Sequence, residues 1–193
     1  MAFSMLFWKK LNHFLLIFCW LFLFGIVGSP VYAEGIAVKT ASLEAADDIY
    51  QLSSTFDIGL TPTMEDAVNR GLTLPFVVEY EISHPRWYWW NETLVSGTRS
   101  RQISYNNLTR QYRLNIGSVY QDFDRLQDVK QVLSSVRGLD IIEKNALKRG
   151  NVYEVSVRMK LDVSRLPKPF QVNALASKEW NLPSEWYRFS FTP

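Results

Sequence analysis

Two segments in which apolar and charged residues alternate constrain the fold of this chain most. Residues 76–82 carry apolar side chains at every second position, with Glu79 and Glu81 between them. Residues 152–161 repeat the pattern over a longer stretch, with Glu154, Arg158 and Lys160 among the intervening positions. A period of two is typical of strands that have one buried and one exposed face. Such strands belong to antiparallel sheets, which often face water on one side.

Weaker alternation and turn residues predict further strands. Asp47-Asp48 and Asn106-Asn107 are turn signals between apolar segments, so each is expected to join two neighbouring strands. We predict these additional strands at residues 36–42, 49–58, 98–105, 111–116, 139–143 and 186–191.

Two amphipathic segments predict short helices. Residues 62–70 follow Thr61, a favourable N-cap, and begin with Pro62, which suits a first helical turn. Residues 124–138 have apolar side chains at every third or fourth position and end at Gly138. The tail from Ser164 contains Pro167, Pro169 and Pro183 and is expected to run extended along the surface. The predicted fold is mainly β (α+β), an antiparallel sheet or β-sandwich-like domain with two short helices.

Residues 1–33 have the three parts of an export signal. Lys9 and Lys10 precede an apolar run at residues 14–27, and Val31-Tyr32-Ala33 suits cleavage after Ala33. An uncleaved anchor is the alternative, since extending the run to Val31 gives about 18 residues, near the lower limit for a membrane span. The sequence therefore predicts a signal peptide and a single β-rich domain at residues 35–193. The protein is expected in the periplasm, or anchored to the inner membrane if the signal peptide is not cleaved.

Charge and cysteine content exclude several classes of protein. The chain has 21 Lys and Arg against 19 Asp and Glu, and Lys9 and Lys10 lie in the predicted signal. The remaining charges therefore balance, which gives no field to attract nucleic acid. The only cysteine, Cys19, and one of the two histidines, His13, also lie in that signal. With His84 alone left, a Cys/His zinc site is impossible, and we expect no metal and no cofactor.

Motifs of enzyme chemistry do not stand out in this sequence. It contains no Gly-x-Ser-x-Gly, no glycine-rich phosphate loop and no His-Glu-x-x-His. His84 precedes Pro85 at a predicted strand end and is interpreted as a turn or surface residue. We predict that the protein is not an enzyme and has no catalytic residues.

Basic residues on the polar strand faces allow two interpretations. They could gather as a patch for phosphate or lipid headgroups, or form a solvated face that Glu79, Glu81 and Glu154 balance from neighbouring strands. The basic residues concerned are Arg99, Arg101, Arg110, Arg113, Arg158 and Lys160.

An aromatic segment follows the first alternating strand and is the first candidate binding surface. It consists of Arg86, Trp87, Tyr88, Trp89 and Trp90. All of it could form an exposed ledge for an apolar or flat partner, with a cation–π or carboxylate contact from the arginine. Alternatively, Trp87 and Trp89 enter the core while Tyr88 and Trp90 flank it.

Four motifs resemble a known family, in the same order and over nearly all of the chain after the signal. They lie at residues 86–90, 108–113, 166–174 and 184–187. The chain resembles the proteobacterial family called domain of unknown function 4390. The resemblance implies a short exported envelope protein without an assigned activity. Some members are encoded near a membrane sensor kinase of the nitrogen-regulation type, which implies a signalling partner.

The family motifs add a second candidate surface in the proline-rich tail. An extended proline-rich segment can dock on a partner's groove or strap its own sheet. The candidate residues are Lys168, Pro169, Phe170, Gln171 and Asn173.

The sequence predicts a non-enzymatic envelope protein that binds another envelope protein through the aromatic segment and the proline segment. The membrane sensor kinase is a candidate partner, and the N-terminal segment would provide membrane association. One alternative is a periplasmic carrier of a lipid or small hydrophobic ligand, with an aromatic-lined cavity between sheet and helices. Another is a hydrolase that uses paired carboxylates, which have no fixed sequence spacing.

Overall fold

The computed structural model describes residues 35–193 except Trp87, Trp89 and Asn181. The predicted export signal and two of the candidate tryptophans therefore lie outside the described residues. Within the described part, short turns connect nine β-strands and three α-helices. In chain order these are β1 (Gly35–Ala46), β2 (Ile49–Gly59), α1 (Pro62–Asn69), β3 (Leu74–His84), β4 (Glu92–Asn106), β5 (Gln111–Ile116), β6 (Val119–Phe123), α2 (Leu126–Leu133), β7 (Ser135–Glu143), β8 (Tyr153–Leu161), α3 (Lys168–Ala176) and β9 (Tyr187–Phe191).

The strands form two sheets in which every pair of neighbours is antiparallel. The smaller sheet has the order β1-β2-β7, and the larger has the order β6-β5-β4-β3-β8-β9. This confirms the predicted fold class. In the part of the chain that the structure describes, no helix combines the length and apolar character needed to cross a bilayer.

The two sheets share one hydrophobic core. The alternation in the sequence produces it directly, because β2, β3 and β8 each bury every second side chain. Phe56 of β2, Phe76 of β3 and Met159 of β8 belong to the same buried cluster. The rings of Tyr50 in the small sheet and Phe191 in the large sheet meet edge to face at 5.1 Å. Burying each such side chain contributes about 1.5–3 kcal/mol, so this shared cluster stabilises both sheets together.

The proline-rich tail is helical, and the prediction of an extended course from Ser164 is wrong. A 3₁₀ turn at Val163–Arg165 precedes α3. The carbonyl oxygen of Pro167 accepts a hydrogen bond from the N–H of Phe170 at 2.9 Å and begins the helix. Pro169 falls in the first turn, where a backbone N–H has no helical partner to lose. The prolines therefore start a helix here.

Candidate protein-binding surface

The aromatic segment forms the connection between β3 and β4, at residues 85–91, which we call the aromatic loop. Its base is held by an ion pair between Arg86 and Glu92, the first residue of β4. The hydroxyl of Thr93 donates a hydrogen bond to Glu81 across the same strand pair at 2.6 Å. Polar contacts thus fix the two ends of the loop.

The described aromatic side chains of this loop are turned toward solvent. Trp90 is 82% exposed and Tyr88 is 65% exposed. Their exposure fits both the exposed-ledge and the mixed-burial interpretation of the segment, because these two interpretations differ only at Trp87 and Trp89. Leu94 and Val152 are also exposed. Val152 lies at the same end of the large sheet as the loop, because it precedes β8 and Glu154 of that strand pairs with Ser83 near the end of β3. Clustered apolar side chains of this kind typically mark an interaction site.

Strand β4 extends beyond its neighbour and leaves part of one edge unpaired. It pairs with β3 along most of its length but with β5 only at residues 101–106. Among the described residues, no strand pairs with the outer edge of residues 92–100, which we call the open edge. The register shifts at this edge, so that Leu94 is the extra residue of a β-bulge. The sequence predicted this strand only from Thr98, so it missed residues 92–97 and gave no signal for how far β5 would accompany the strand.

The proline segment is occupied largely by contacts within the protein. The ring of Phe170 lies 5.6 Å from the buried ring of Trp180. Gln171 donates to the carbonyl oxygens of Ser164 and Leu166 at 2.8 and 2.6 Å. Lys168 and Pro169 are exposed. Asn173 lies in α3, and its side chain is outside the described part of the structure.

The structure does not bring the aromatic and proline segments together. The aromatic loop adjoins the end of β3 at His84, opposite the start of β8. The proline segment follows the other end of β8, where Leu161 pairs with Phe76 near the start of β3. At about 3.3 Å per residue, the length of β8 separates the two segments by roughly 25 Å. They therefore lie at opposite ends of the large sheet.

Two of the basic residues are balanced across neighbouring strands, as the solvated-face interpretation predicted. Glu79 accepts hydrogen bonds from Arg158 at 2.7 Å and forms an ion pair with Lys160 at 2.7 Å. Burial raises the pKa of Glu79, but the hydrogen bonds from Lys160 and Arg158 outweigh it and hold the pKa below its ordinary value. The Arg158 guanidinium also lies over the ring of Trp186, 4.4 Å from its centroid.

A single basic patch does not form. Arg101 faces the core, and its Nη1 donates to the carbonyl oxygens of Val132, Leu133 and Ser135 at 3.3, 3.1 and 2.8 Å. Burial lowers the pKa of Arg101. Its charge stabilises the carboxyl end of α2, where the helix dipole favours a cation. Arg113 is paired with Asp122 at 2.7 Å.

Other candidate chemistry is sparse in the described residues. They contain no group of three or more His, Cys, Asp and Glu side chains placed to hold a metal ion. A groove of about 270 Å³ runs across β1, β2 and β7. It is lined mainly by serine and threonine, together with Ala41, Val136 and Arg137.

These features define a class: an antiparallel β-rich protein with two sheets around one core, and an exposed aromatic loop beside an unpaired strand edge. The chain belongs to the family described as Domain of unknown function (DUF4390), whose model matches residues 33–190. Neither a curated protein nor a solved structure matches the chain. The family resemblance carried by the four motifs is thereby confirmed.

Proposed function

We propose that this protein is a non-enzymatic protein-binding domain of the cell envelope, whose partner contacts the aromatic loop and the open edge of β4. The observation that carries the proposal is the 82% exposure of Trp90 beside an unpaired strand edge. Aromatic side chains are the commonest energetic centres of protein interfaces, because they bury a large area at little cost in conformational entropy. An unpaired edge adds backbone donors and acceptors that a second strand can satisfy.

The proline segment does not belong to this proposed contact. Phe170 and Gln171 already have partners within the chain. Arg86 is assigned a positioning role, because its ion pair with Glu92 closes the base of the loop.

The cellular setting of the proposal follows from residues 1–33, whose composition predicts export and a possible membrane anchor. The membrane sensor kinase implied by the family resemblance is a candidate partner in that compartment. The lipid-carrier alternative needs an apolar cavity, whereas the groove described on the small sheet is lined mainly by serine and threonine.

Photo-crosslinking in cells tests the proposal. A photoreactive amino acid replaces Trp90 in the full chain, and its adducts are identified by mass spectrometry. The matched control carries the same probe at Val172, an exposed apolar residue of α3 at the other end of the large sheet. We expect a discrete protein adduct from position 90 that is missing from position 172. Lipid adducts, or identical patterns from both positions, would overturn the proposal.

A further inference from the structure

We propose that the partner of this surface is a second copy of the same chain, with the two β4 strands pairing antiparallel along their open edges. This inference rests on the proposed function, because it names the partner of the same loop and edge. The product is a two-fold dimer in which the large sheets of both copies join into one continuous sheet.

The backbone of the open edge is suited to self-pairing. A two-fold axis places the same residues on both sides of an interface, so each strand meets its own sequence running in the opposite direction. Antiparallel strands can then exchange N–H···O=C hydrogen bonds along residues 92–100. The middle of this stretch is occupied by Ser96 and Gly97, whose own side chains are small, while the ring of Tyr80 from β3 lies over Gly97 on one face of the sheet.

Charges at the two ends of the open edge are complementary under this symmetry. Glu92 lies opposite His84, and Arg99 lies opposite Val78. His84 and Val78 are six residues apart on β3, so Glu92 and Arg99 project from the same face of the sheet. Antiparallel pairing about the middle of the stretch brings Glu92 of one copy beside Arg99 of the other, twice in each dimer.

Arg99 is the side chain for which this pairing matters most. It is exposed, and its guanidinium contacts the carbonyl oxygen of Thr98. None of the ion pairs found among the described residues involves Arg99. Glu92 already holds Arg86, and a carboxylate with two oxygens can accept from a second guanidinium. The dimer therefore gives Arg99 the carboxylate partner that its own copy does not provide.

Exposed apolar residues flank the open edge at both of its ends. The aromatic loop lies beyond Glu92, and β5 ends beyond Ser100, where Ile116 pairs with Arg101. Val119 and Tyr120, the first residues of β6, are exposed. The two-fold axis brings the Trp90 end of one copy to the Val119 end of the other. One symmetric contact thus accounts for the open edge, the charges at its ends and both apolar clusters.

Disulfide trapping of the full chain in cells tests the dimer. Cys19 is first changed to serine, which leaves the chain without cysteine. Ser96→Cys then places a thiol near the proposed axis, and the oxidant copper phenanthroline is added before a non-reducing gel. The control is Leu108→Cys, which is 95% exposed on the β4–β5 turn, away from the axis. We expect a disulfide-linked dimer from position 96 and none from position 108.

Charge reversal shows whether a trapped dimer uses the proposed register. Arg99→Glu should reduce the dimer band by about tenfold, the effect expected when a close charge pair becomes repulsive. Adding Glu92→Arg together with Arg86→Glu should restore the band, because the ion pair at the base of the loop is then kept with its charges exchanged, and positions 92 and 99 are complementary again. A dimer band whose intensity is the same in both variants as without them would overturn the inference.

The outcomes separate this inference from the proposed function. Circular dichroism first establishes that the Ser96→Cys variant is folded. If the folded variant gives no dimer while the Trp90 probe captures a different protein, the dimer is wrong and the proposed function stands. If the Trp90 probe also captures nothing, both are wrong. A crosslink from Trp90 to a second copy would support both.

Discussion

A single half-buried carboxylate, Glu79, links the neighbouring strands β3 and β8 of the large sheet. Both of its cationic neighbours, Arg158 and Lys160, belong to β8, while Glu79 itself belongs to β3. Glu79→Gln removes the negative charge and keeps the shape. We expect a loss of about 1 kcal/mol in the free energy of unfolding near neutral pH, a modest value because the cluster still faces solvent. Urea unfolding followed by circular dichroism measures it.

The pH dependence of the same variant has a definite sign. The pKa of Glu79 is lowered in the folded protein, so its stabilisation is present above the unfolded pKa and disappears as pH falls through the folded pKa. Wild type should therefore lose more stability than Glu79→Gln between about pH 7 and about pH 3. Glu154→Gln is the control, since its ion pair with Arg188 is longer, at 3.8 Å. Parallel pH profiles for wild type and Glu79→Gln would contradict the assignment.

Individual side chains differ in how far the sequence predicts their surroundings. The partners of Glu79 follow from two alternating strands, because each pattern states which residues share the polar face. Arg101 lies in a similar polar-looking stretch, but α2 covers it and its charge meets carbonyl oxygens. Alternation gives the face of a strand but not the helix that packs on it. The burial of Arg101 therefore depends on tertiary packing and cannot be predicted from the local sequence pattern.

At the level of elements, Thr61 joins α1 to the chain that follows α3. Its hydroxyl accepts a hydrogen bond from the N–H of Met64 at 3.2 Å and donates one to the carbonyl oxygen of Glu179 at 2.8 Å. Thr61 is fully buried, so Thr61→Ala leaves both partners without a replacement from water. We expect a loss of about 1–2 kcal/mol in the free energy of unfolding, measured by chemical denaturation.

Thr63 provides the matched comparison for that substitution. Its hydroxyl also reaches Glu179, but at the exposed carboxylate, 2.8 Å away. Thr63→Ala should change stability by less than about 0.5 kcal/mol, as exposed substitutions usually do. Hydrogen exchange should also speed up at residues 178–180 in Thr61→Ala and stay unchanged in Thr63→Ala. Equal effects from the two variants would show that the buried cap does not hold the segment.

The elements that the sequence predicted are those in which apolar residues recur at a regular spacing. Strands β3 and β8 bury alternate residues as the pattern indicated, and α1 and α2 lie within the predicted helical segments. The second of these predictions is too long, because residues 135–138 belong to β7. Helix α3 was missed because its prolines were interpreted as extended chain, although proline also fits a first helical turn. Strand β6 was missed because it is short, largely exposed and at the sheet edge, where burial imposes little pattern.

For the whole molecule, the shared core and the proposed binding surface occupy different places. The core uses the inner faces of β2, β3 and β8, whereas the surface uses a loop and the outer edge of β4. The aromatic loop was recognisable from the sequence as a dense run of large rings. The open edge was not, because it depends on the different lengths of β4 and β5. Exposed residues such as Trp90 can therefore be replaced with little effect on folding.

Because both sheets contribute to one core, we expect residues 35–193 to unfold as one cooperative unit within the full chain. Ile58→Val in β2 and Ile82→Val in β3 each remove one buried methylene and should each cost about 0.5–1.5 kcal/mol. Urea transitions followed by circular dichroism and by tryptophan fluorescence should coincide, and each variant should shift both curves equally. Leu108→Ala, on an exposed turn, should shift neither curve. Two separate transitions, with Ile58→Val moving only one, would mean that the small sheet unfolds independently and that contact between the sheets contributes little to stability.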